Sequence, residues 1–170
     1  MATPHADYAA LVELVEASGL PHTLHEHTPT RTIADARQNL PLDVTRIIKT
    51  IAFAVRDGRL VLAALRGTLR VDYAKLSALV GVNRKDLAPL AAADVLDRIG
   101  VAPGGVSPLH ALGHGLVDGE VLLFVDADIL SIAPTAYCGL GRPDRTLEMA
   151  PADLLALCGG RQGAFSRQPS

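Results

Sequence analysis

The sequence predicts an α+β fold: one domain in which a mixed, mostly antiparallel β-sheet is surrounded by helices. Three observations predict it. The chain of 170 residues is 49% hydrophobic and 20% charged, enough to bury one proper core and too apolar for a disordered chain. Two apolar stretches flank a tight Asp57-Gly58 turn, the signature of a hairpin. The helical segments around it do not alternate with strands as a doubly wound parallel sheet requires.

Tyr8 to Ser18 reads as a helix with Leu11, Leu14 and Val15 on one face, ended by Gly19 and Pro21. His22 to His27 alternates as a short strand. Thr32-Ile-Ala-Asp35 resembles a capping box and opens a helix from Ile33 to Asn39, stopped by Pro41. Ile47 to Val55 and Arg59 to Leu65 are the hairpin strands. Asp72 caps a helix through Leu79 that ends at Gly81. Asn83 to Ala88 and Ala91 to Ile99 read as helices separated by Pro89. Val101-Ala-Pro-Gly-Gly-Val-Ser-Pro108 has too many glycines and prolines for regular structure and is too apolar for a floppy loop. Val121 to Val125, Ile132 to Tyr137 and Thr146 to Met149 read as strands, and Pro151 opens a last helix through Leu157. Gln162 to Ser170 reads as a frayed tail. Residues 1–170 are thus one domain with its core between about 20 and 158 and frayed termini.

The composition excludes several classes. Apolar runs such as Leu60–Leu65 are far shorter than the roughly 20 residues of a membrane helix. No cationic start precedes an apolar stretch, so no signal peptide is expected. Cys138 and Cys158 are therefore expected as reduced thiols in a cytoplasmic protein with no membrane association. Trp is absent and aromatic residues make up 4%, so the core is aliphatic and base stacking contributes little to any nucleic-acid contact.

Standard catalytic constellations are missing. His25 and His27 would share one strand face, which suits a metal pair, but no Cys or carboxylate completes a zinc spacing. His110 and His114 are four apart beside Gly113 and Gly115, which argue against a helix. Ser107 is followed two residues later by Leu109, where a nucleophile elbow needs glycine. The glycine pairs Gly113-His-Gly115 and Gly139-Leu-Gly141 do not make a nucleotide fingerprint. No metal and no cofactor is expected.

Two features carry more. Lys49 interrupts an apolar strand, either as an edge-strand lysine that blocks aggregation or as a cation in a cleft that holds an anion or carbonyl. Gly104-Gly105 is either a tight connection or a cradle whose N–H groups approach a ligand closely.

Pro29-Thr-x-Thr32, Ile48-Lys49-Thr50, the hairpin to Leu65, Arg70-Val-Asp-x-x-Lys-Leu76, Gly-Gly-Val-Ser-Pro108, Val125-Asp126, Gly139-Leu-Gly141 and Ala150-Pro-x-Asp-Leu154 occur in this order. On these residues the chain resembles the YbaK/ProX family of free-standing aminoacyl-tRNA editing proteins, which are similar to the editing domain inserted in bacterial prolyl-tRNA synthetase. The resemblance spans about residues 20 to 158 and implies a YbaK-like fold. It also implies hydrolysis of the ester joining a wrong small amino acid (Ala, Cys, Ser, Thr or similar) to tRNA, most often tRNA for proline.

The resemblance gives Lys49 the role of orienting the aminoacyl-adenosine end. Gly104, Gly105, Ser107 and Pro108 belong to the loop that secures the carbonyl and terminal ribose. It implies substrate contacts for Thr50, His27, Thr30, Asp126, Gly139 and Gly141, and tRNA contacts for Arg31, Arg46, Arg70 and Lys75. The implied partners are aminoacyl-tRNA and, as a candidate, prolyl-tRNA synthetase. The family mechanism is largely substrate-assisted, with water as the attacking group.

The chain departs from the family pattern in three places. Leu140 stands at a place that is glycine in some members. Arg145 or Thr146, near Asp144, stands where some members have a carboxylate. With these two departures the amino-acid pocket does not transfer. Leu109-His-Ala-Leu also lacks the Gly that often follows Ser-Pro-Leu in the cysteine-specific branch, which weakens an assignment to cysteinyl-tRNA.

Net charge is −2, yet residues 30–86 hold eleven Lys and Arg against five acids, a net of +6 that leaves −8 elsewhere. Phosphate binding needs such local charge. Two competing readings are a non-catalytic module that binds aminoacyl-tRNA or a synthetase, and a metal-dependent hydrolase using His25 and His27.

Overall fold

The computed structural model describes residues 6–29, 42–112 and 121–169. The predicted capping box and helix at 32–39, Thr30, Arg31 and His114 lie outside them.

Helix α1 (Ala6–Ser18) buries Leu11 and Val15, one turn apart, and stops at Gly19 with φ +70°. Strand β1 (His22–Glu26) follows. After a 3-10 turn at Val44–Arg46, β2 (Ile48–Val55) and β3 (Leu60–Arg66) form the predicted hairpin, paired from Ile48↔Arg66 to Ala54↔Leu60. Its turn closes through the Gly58 N–H to the Val55 carbonyl at 2.9 Å. Strand β4 (Arg70–Val71) leads into α2 (Tyr73–Val80), where the Asp72 carboxylate accepts the Lys75 N–H at 3.0 Å.

The helix predicted for Asn83–Ala88 is instead a 3-10 turn at Arg84–Asp86 and the strand β5 (Leu87–Pro89). Pro89 steers residue 88 away from helical geometry, and the extended backbone lets Leu87 bury its side chain while pairing with Val55. Helix α3 (Ala92–Ile99) matches its prediction and buries Val95 and Ile99. Two 3-10 turns, Pro103–Gly105 and Pro108–Leu112, occupy the Gly/Pro segment.

Strand β6 (Val121–Asp126) ends in a 3-10 turn at Ala127–Ser131, and β7 (Ala136–Gly139) begins only after Pro134, later than the predicted Ile132. A proline has no N–H to give a ladder, which accounts for the delay. Strand β8 (Arg145–Met149) and α4 (Pro151–Cys158) close the predicted part.

The predicted frayed tail is ordered. Strand β9 (Arg161–Gly163) pairs parallel with β6, and β10 (Ser166–Arg167) pairs antiparallel with β4. Phe165, between them, is fully buried. One deeply buried phenylalanine is worth about 3–5 kcal/mol against alanine, enough to hold a short segment down.

The strands form a five-stranded sheet in the order β5-β2-β3-β6-β9, a three-stranded antiparallel sheet β1-β8-β7, and the β10-β4 pair. β3 runs parallel to β6; β2 is antiparallel to both neighbours. Alternation along the hairpin builds two cores. Ile48, Ala52, Leu62 and Ala64 pack with α1, α3, Val106 and Leu109. Phe53, Val61, Ala63 and Leu65 pack with Leu76, Val80 and Phe165. β3 is covered on both faces, which is why its sequence is an unbroken apolar run.

Candidate active site

The site begins with the lateral direction of the β2 backbone. The Val55 N–H donates to the Arg59 carbonyl at 2.9 Å and the Gly67 N–H to the Ile47 carbonyl at 2.7 Å, so odd-numbered groups face β3. The Leu90 N–H donates to the Ala52 carbonyl at 2.9 Å, so even-numbered groups face the other way. On that side β5 reaches β2 only at Phe53–Val55, and β7 touches the chain by one parallel bridge, Ile47↔Tyr137. The amide and carbonyl of Thr50 lie between these two, and no described strand pairs with them. The Thr50 hydroxyl is buried with no hydrogen-bond partner among the described residues. A strand edge that pairs with no described strand and carries an orphaned hydroxyl is a place for a ligand oxygen.

Lys49 and Gly139 flank this opening. Ile47 and Tyr137 stand side by side in a parallel bridge and share a face; Lys49 and Gly139, each two residues on, share it too. Past the bridge no further pairing joins the two strands. A Cβ on Gly139 would lie 3.0 Å from the Val106 carbonyl oxygen, so the 104–108 loop reaches the same face. The loop is locked there backbone to backbone: the Gly141 N–H donates to the Gly105 carbonyl at 2.8 Å, and a Cβ on Gly105 would stand 2.9 Å from the Gly141 carbonyl carbon. Gly105, Gly139 and Gly141 are thus brought together, and the Ile47↔Tyr137 bridge sets the β2 strand that carries Lys49 and Thr50 beside the strand that carries Gly139. Gly104 is half-buried beside them.

Lys49 also lines a cleft of about 430 Å³ with Ile51, Arg70, Val71, Asp72, Tyr73 and Arg167. It makes no ion pair among the described residues. Burial lowers its pKa below the usual lysine value, and the Arg70 charge lowers it further. The environment therefore favours arrival of an anion. This favours the cleft reading of Lys49 over the edge-strand one.

Other expected site residues are tied into the fold. Asp126 is buried: Oδ1 accepts the Phe165 and Ser166 N–H groups at 2.8 and 3.1 Å, and Oδ2 accepts the Ser166 hydroxyl at 2.7 Å. It anchors the tail, which corrects its expected place among the substrate contacts. Arg46 donates from Nε to the Thr135 carbonyl at 2.7 Å, contacts Glu148 and lies 4.7 Å over the Tyr137 ring. Its guanidinium holds two strands together and is not presented to a phosphate. Ser107 is fully buried, and its oxygen accepts the Leu109 N–H at 3.2 Å, so it shapes the turn before Pro108, itself buried. A hydroxyl so placed is no nucleophile. Arg70 and Lys75 are exposed, as contact with tRNA requires.

His25 on β1 and His27 just beyond its end are each held by protein. His27 Nδ1 meets the Thr28 carbonyl at 2.7 Å, which can only accept, so that nitrogen carries the proton and Nε2, 2.7 Å from Thr146 Oγ1, is free to accept the hydroxyl. His25 Nε2 lies 2.8 Å from Glu148 Oε1. Among the described residues no three His, Cys, Asp or Glu side chains gather as a metal site. Asp144, near the departing late loop, is held by both Arg142 and Arg145. Both cysteines are free and buried.

Sequence reasoning missed Arg167. The signal was Phe165, a large apolar residue inside a segment read as a frayed tail, which has to be buried and so holds the residues beside it.

The model of the aminoacyl-tRNA editing domain matches residues 27–157. Among solved structures, the hypothetical protein APE2540 is 27% identical with a TM-score of 0.79, covering 92% of this chain and 99% of that one. A candidate trans-editing enzyme for prolyl-tRNA synthetase is 26% identical with a TM-score of 0.76, covering 95% and 97%. A scaffold protein used for computational epitope grafting is 25% identical with a TM-score of 0.75, covering 99% and 100%. No match was found among curated proteins. No described helix is long and apolar enough to cross a membrane.

Proposed function

The chain belongs to the aminoacyl-tRNA editing domain family, and we propose that it is a trans-acting hydrolase that deacylates mischarged aminoacyl-tRNA. The observation that supports this reading is the edge of β2 beside β7, where Thr50 pairs with no described strand and its hydroxyl has no partner among the described residues, with the Lys49 cation next to it in the chain and the 104–108 and 139–141 glycine loops locked together on the β7 side. An aminoacyl ester is already activated, so the protein needs no strong nucleophile. It must place the carbonyl and let water in. As water attacks, the carbonyl oxygen takes up negative charge beside the Thr50 N–H, while Lys49 orients the adenosine end. One such backbone donor is worth about 2.7–4 kcal/mol in the transition state. The bond from the carbonyl carbon to the ribose oxygen then breaks, and that oxygen gains a proton. The neighbouring ribose hydroxyl serves as the proton carrier, since none of the described side chains at the opening is a free base.

The substrate of this reading is tRNA for proline carrying a small wrong amino acid such as Ala, Cys, Ser or Thr. The similar structure described as a candidate trans-editing enzyme for prolyl-tRNA synthetase supports that choice. The need is physical: a synthetase pocket gains only about 1–3 kcal/mol from one methylene, so small amino acids slip through and a second pocket must remove them. The protein works in the cytoplasm, with prolyl-tRNA synthetase as a candidate partner.

The test is a deacylation panel with tRNA for proline carrying Ala, Ser, Cys, Thr or 2-aminobutyrate. Release from at least one, abolished by Lys49→Ala, is the expected result. If none is cleaved the reading fails, and Lys49-dependent tRNA binding without cleavage would identify a binding module instead.

A further inference from the structure

Arg70 on β4 and Arg167 on β10 are directly paired across the two strands. Like charges directly opposite one another destabilise a strand pair. Lys49 lines the same cleft, so three cations share about 430 Å³ of space with a single carboxylate, Asp72. That carboxylate is engaged in capping α2 through the Lys75 N–H. Arg167 is exposed, and the one hydrogen bond its side chain makes among the described residues is a long 3.4 Å contact to the Gln168 carbonyl. Neither Arg70 nor Arg167 has an ion-pair partner among the described residues. The fold nevertheless enforces the arrangement. Asp126 takes two tail N–H groups and the Ser166 hydroxyl, Phe165 is sunk in the core, and the Asp72 N–H donates to the Phe165 carbonyl at 2.7 Å. The tail is thus pinned at Phe165 and Ser166, the two residues immediately before Arg167.

We propose that Arg70 and Arg167 form a phosphate clamp for the phosphodiester that precedes the terminal adenosine of the tRNA. The C-terminal strand β10, beyond the region matched by the family model, supplies half of it. This deepens the deacylase reading and rests on it for the identity of the ligand. Lys49 stands where cleft and opening meet, so a terminal adenosine with its ester beside Thr50 and Gly139 places its 5′ phosphate toward the arginines. Two guanidinium groups facing one phosphate replace mutual repulsion by charge-assisted hydrogen bonds. Tyr73, held between Phe53 and Arg84, forms the wall of the cleft rather than a stacking platform.

The experiment uses the full chain and a probe without an aminoacyl group, the dinucleotide cytidylyl-(3′→5′)-adenosine, whose single phosphodiester is anionic, against adenosine, each titrated and followed by NMR. The wild type is expected to bind the dinucleotide at least about ten-fold more tightly than the nucleoside. Arg167→Gln and Arg70→Gln should each erase most of that difference, leave adenosine binding unchanged, and weaken the salt dependence of dinucleotide binding. Both variants should melt no lower than the wild type in phosphate-free buffer, because each relieves a like-charge pair. Equal affinity for the two probes, or variants that keep the wild-type preference, would overturn the clamp. So would variants that melt markedly lower, since the arginines would then be structural. No hydrolysis is measured, so failure of the clamp is distinct from failure of the deacylase reading.

Discussion

The carbonyl of Gly105 accepts the Gly141 N–H at 2.8 Å, and the space a Cβ would need at Gly105 is already filled by the Gly141 backbone. Two glycine loops that are 36 residues apart in sequence form one surface beside Lys49. Gly105→Ala forces backbone, not a flexible side chain, to move. Overpacking of this kind costs about 1–3 kcal/mol. The expected outcome is a lower Tm together with a loss of deacylation larger than the stability change explains, checked by thermal melts and single-turnover kinetics.

Lys49→Met separates function from stability. The lysine charge is held in a cleft that burial and Arg70 make unfavourable for it. Deacylation should fall by about 10²-fold or more, while Tm stays equal or rises. The folded pKa lies below 10.5, so between the two values the unfolded chain holds more protons and stability rises with pH toward that value. The variant should lose this rise, which chemical denaturation between pH 8 and pH 10.5 would reveal.

Asp126→Ala should act through the tail. It strips two buried or half-buried N–H groups and one hydroxyl of their acceptor, at about 1–3 kcal/mol for each group left unsatisfied. Limited proteolysis should then cut after β9, and binding of the dinucleotide should fall along with that of Arg167→Gln. Asp126→Asn keeps one acceptor oxygen and should fall between.

Arg46→Gln should lower Tm without weakening tRNA binding by the folded protein, whereas Lys75→Gln should weaken binding without lowering Tm. The reason is that Arg46 is committed to Thr135, Glu148 and Tyr137. Glu148 itself is held below the usual carboxylate value by hydrogen bonds from Thr135 and His25. A carboxylate with a depressed folded pKa stabilises fully above its unfolded value, 4.5, and loses that contribution as pH falls through the folded one. Acid unfolding of Glu148→Gln should therefore be shallower than that of the wild type.

Burial pushes the Cys138 thiol up to about 12 and the Cys158 thiol up to about 11. Iodoacetamide should leave both thiols and the deacylase activity untouched at neutral pH, and should label both once denaturant is added; mass spectrometry reads the outcome.

Where an element depends on neighbours in the chain, the sequence was enough. The Asp57-Gly58 turn, the Asp72 cap with Gly81 behind it, and Pro151 opening α4 are local chemistry, and the structure has them where they were expected. Where an element depends on a distant partner, it was not. Leu87–Pro89 and Arg161–Gly163 become strands because β2 and β6 offer edges to pair with, information absent from their own residues. Lys49 and Gly104-Gly105 stood out from their own residues, the motif order pointed to the family, and Thr50, Gly139 and Gly141 were named from it. What those residues do together depends on β2 and β7 being joined by a single bridge.

The sequence by itself determined an aliphatic α+β domain, its hairpin, its capped helices and the cation placed in an apolar strand. Each follows from side-chain size, backbone freedom or periodicity within a few residues. Only the tertiary structure decided which charges are available. Arg46 and Asp126 were consumed by hydrogen bonds across the fold, while Arg70, Arg167 and Lys49 were left to share one cleft. Charge counts along a chain are additive, but the free energy of a charge depends on what faces it, and that is set by contacts between segments far apart in sequence.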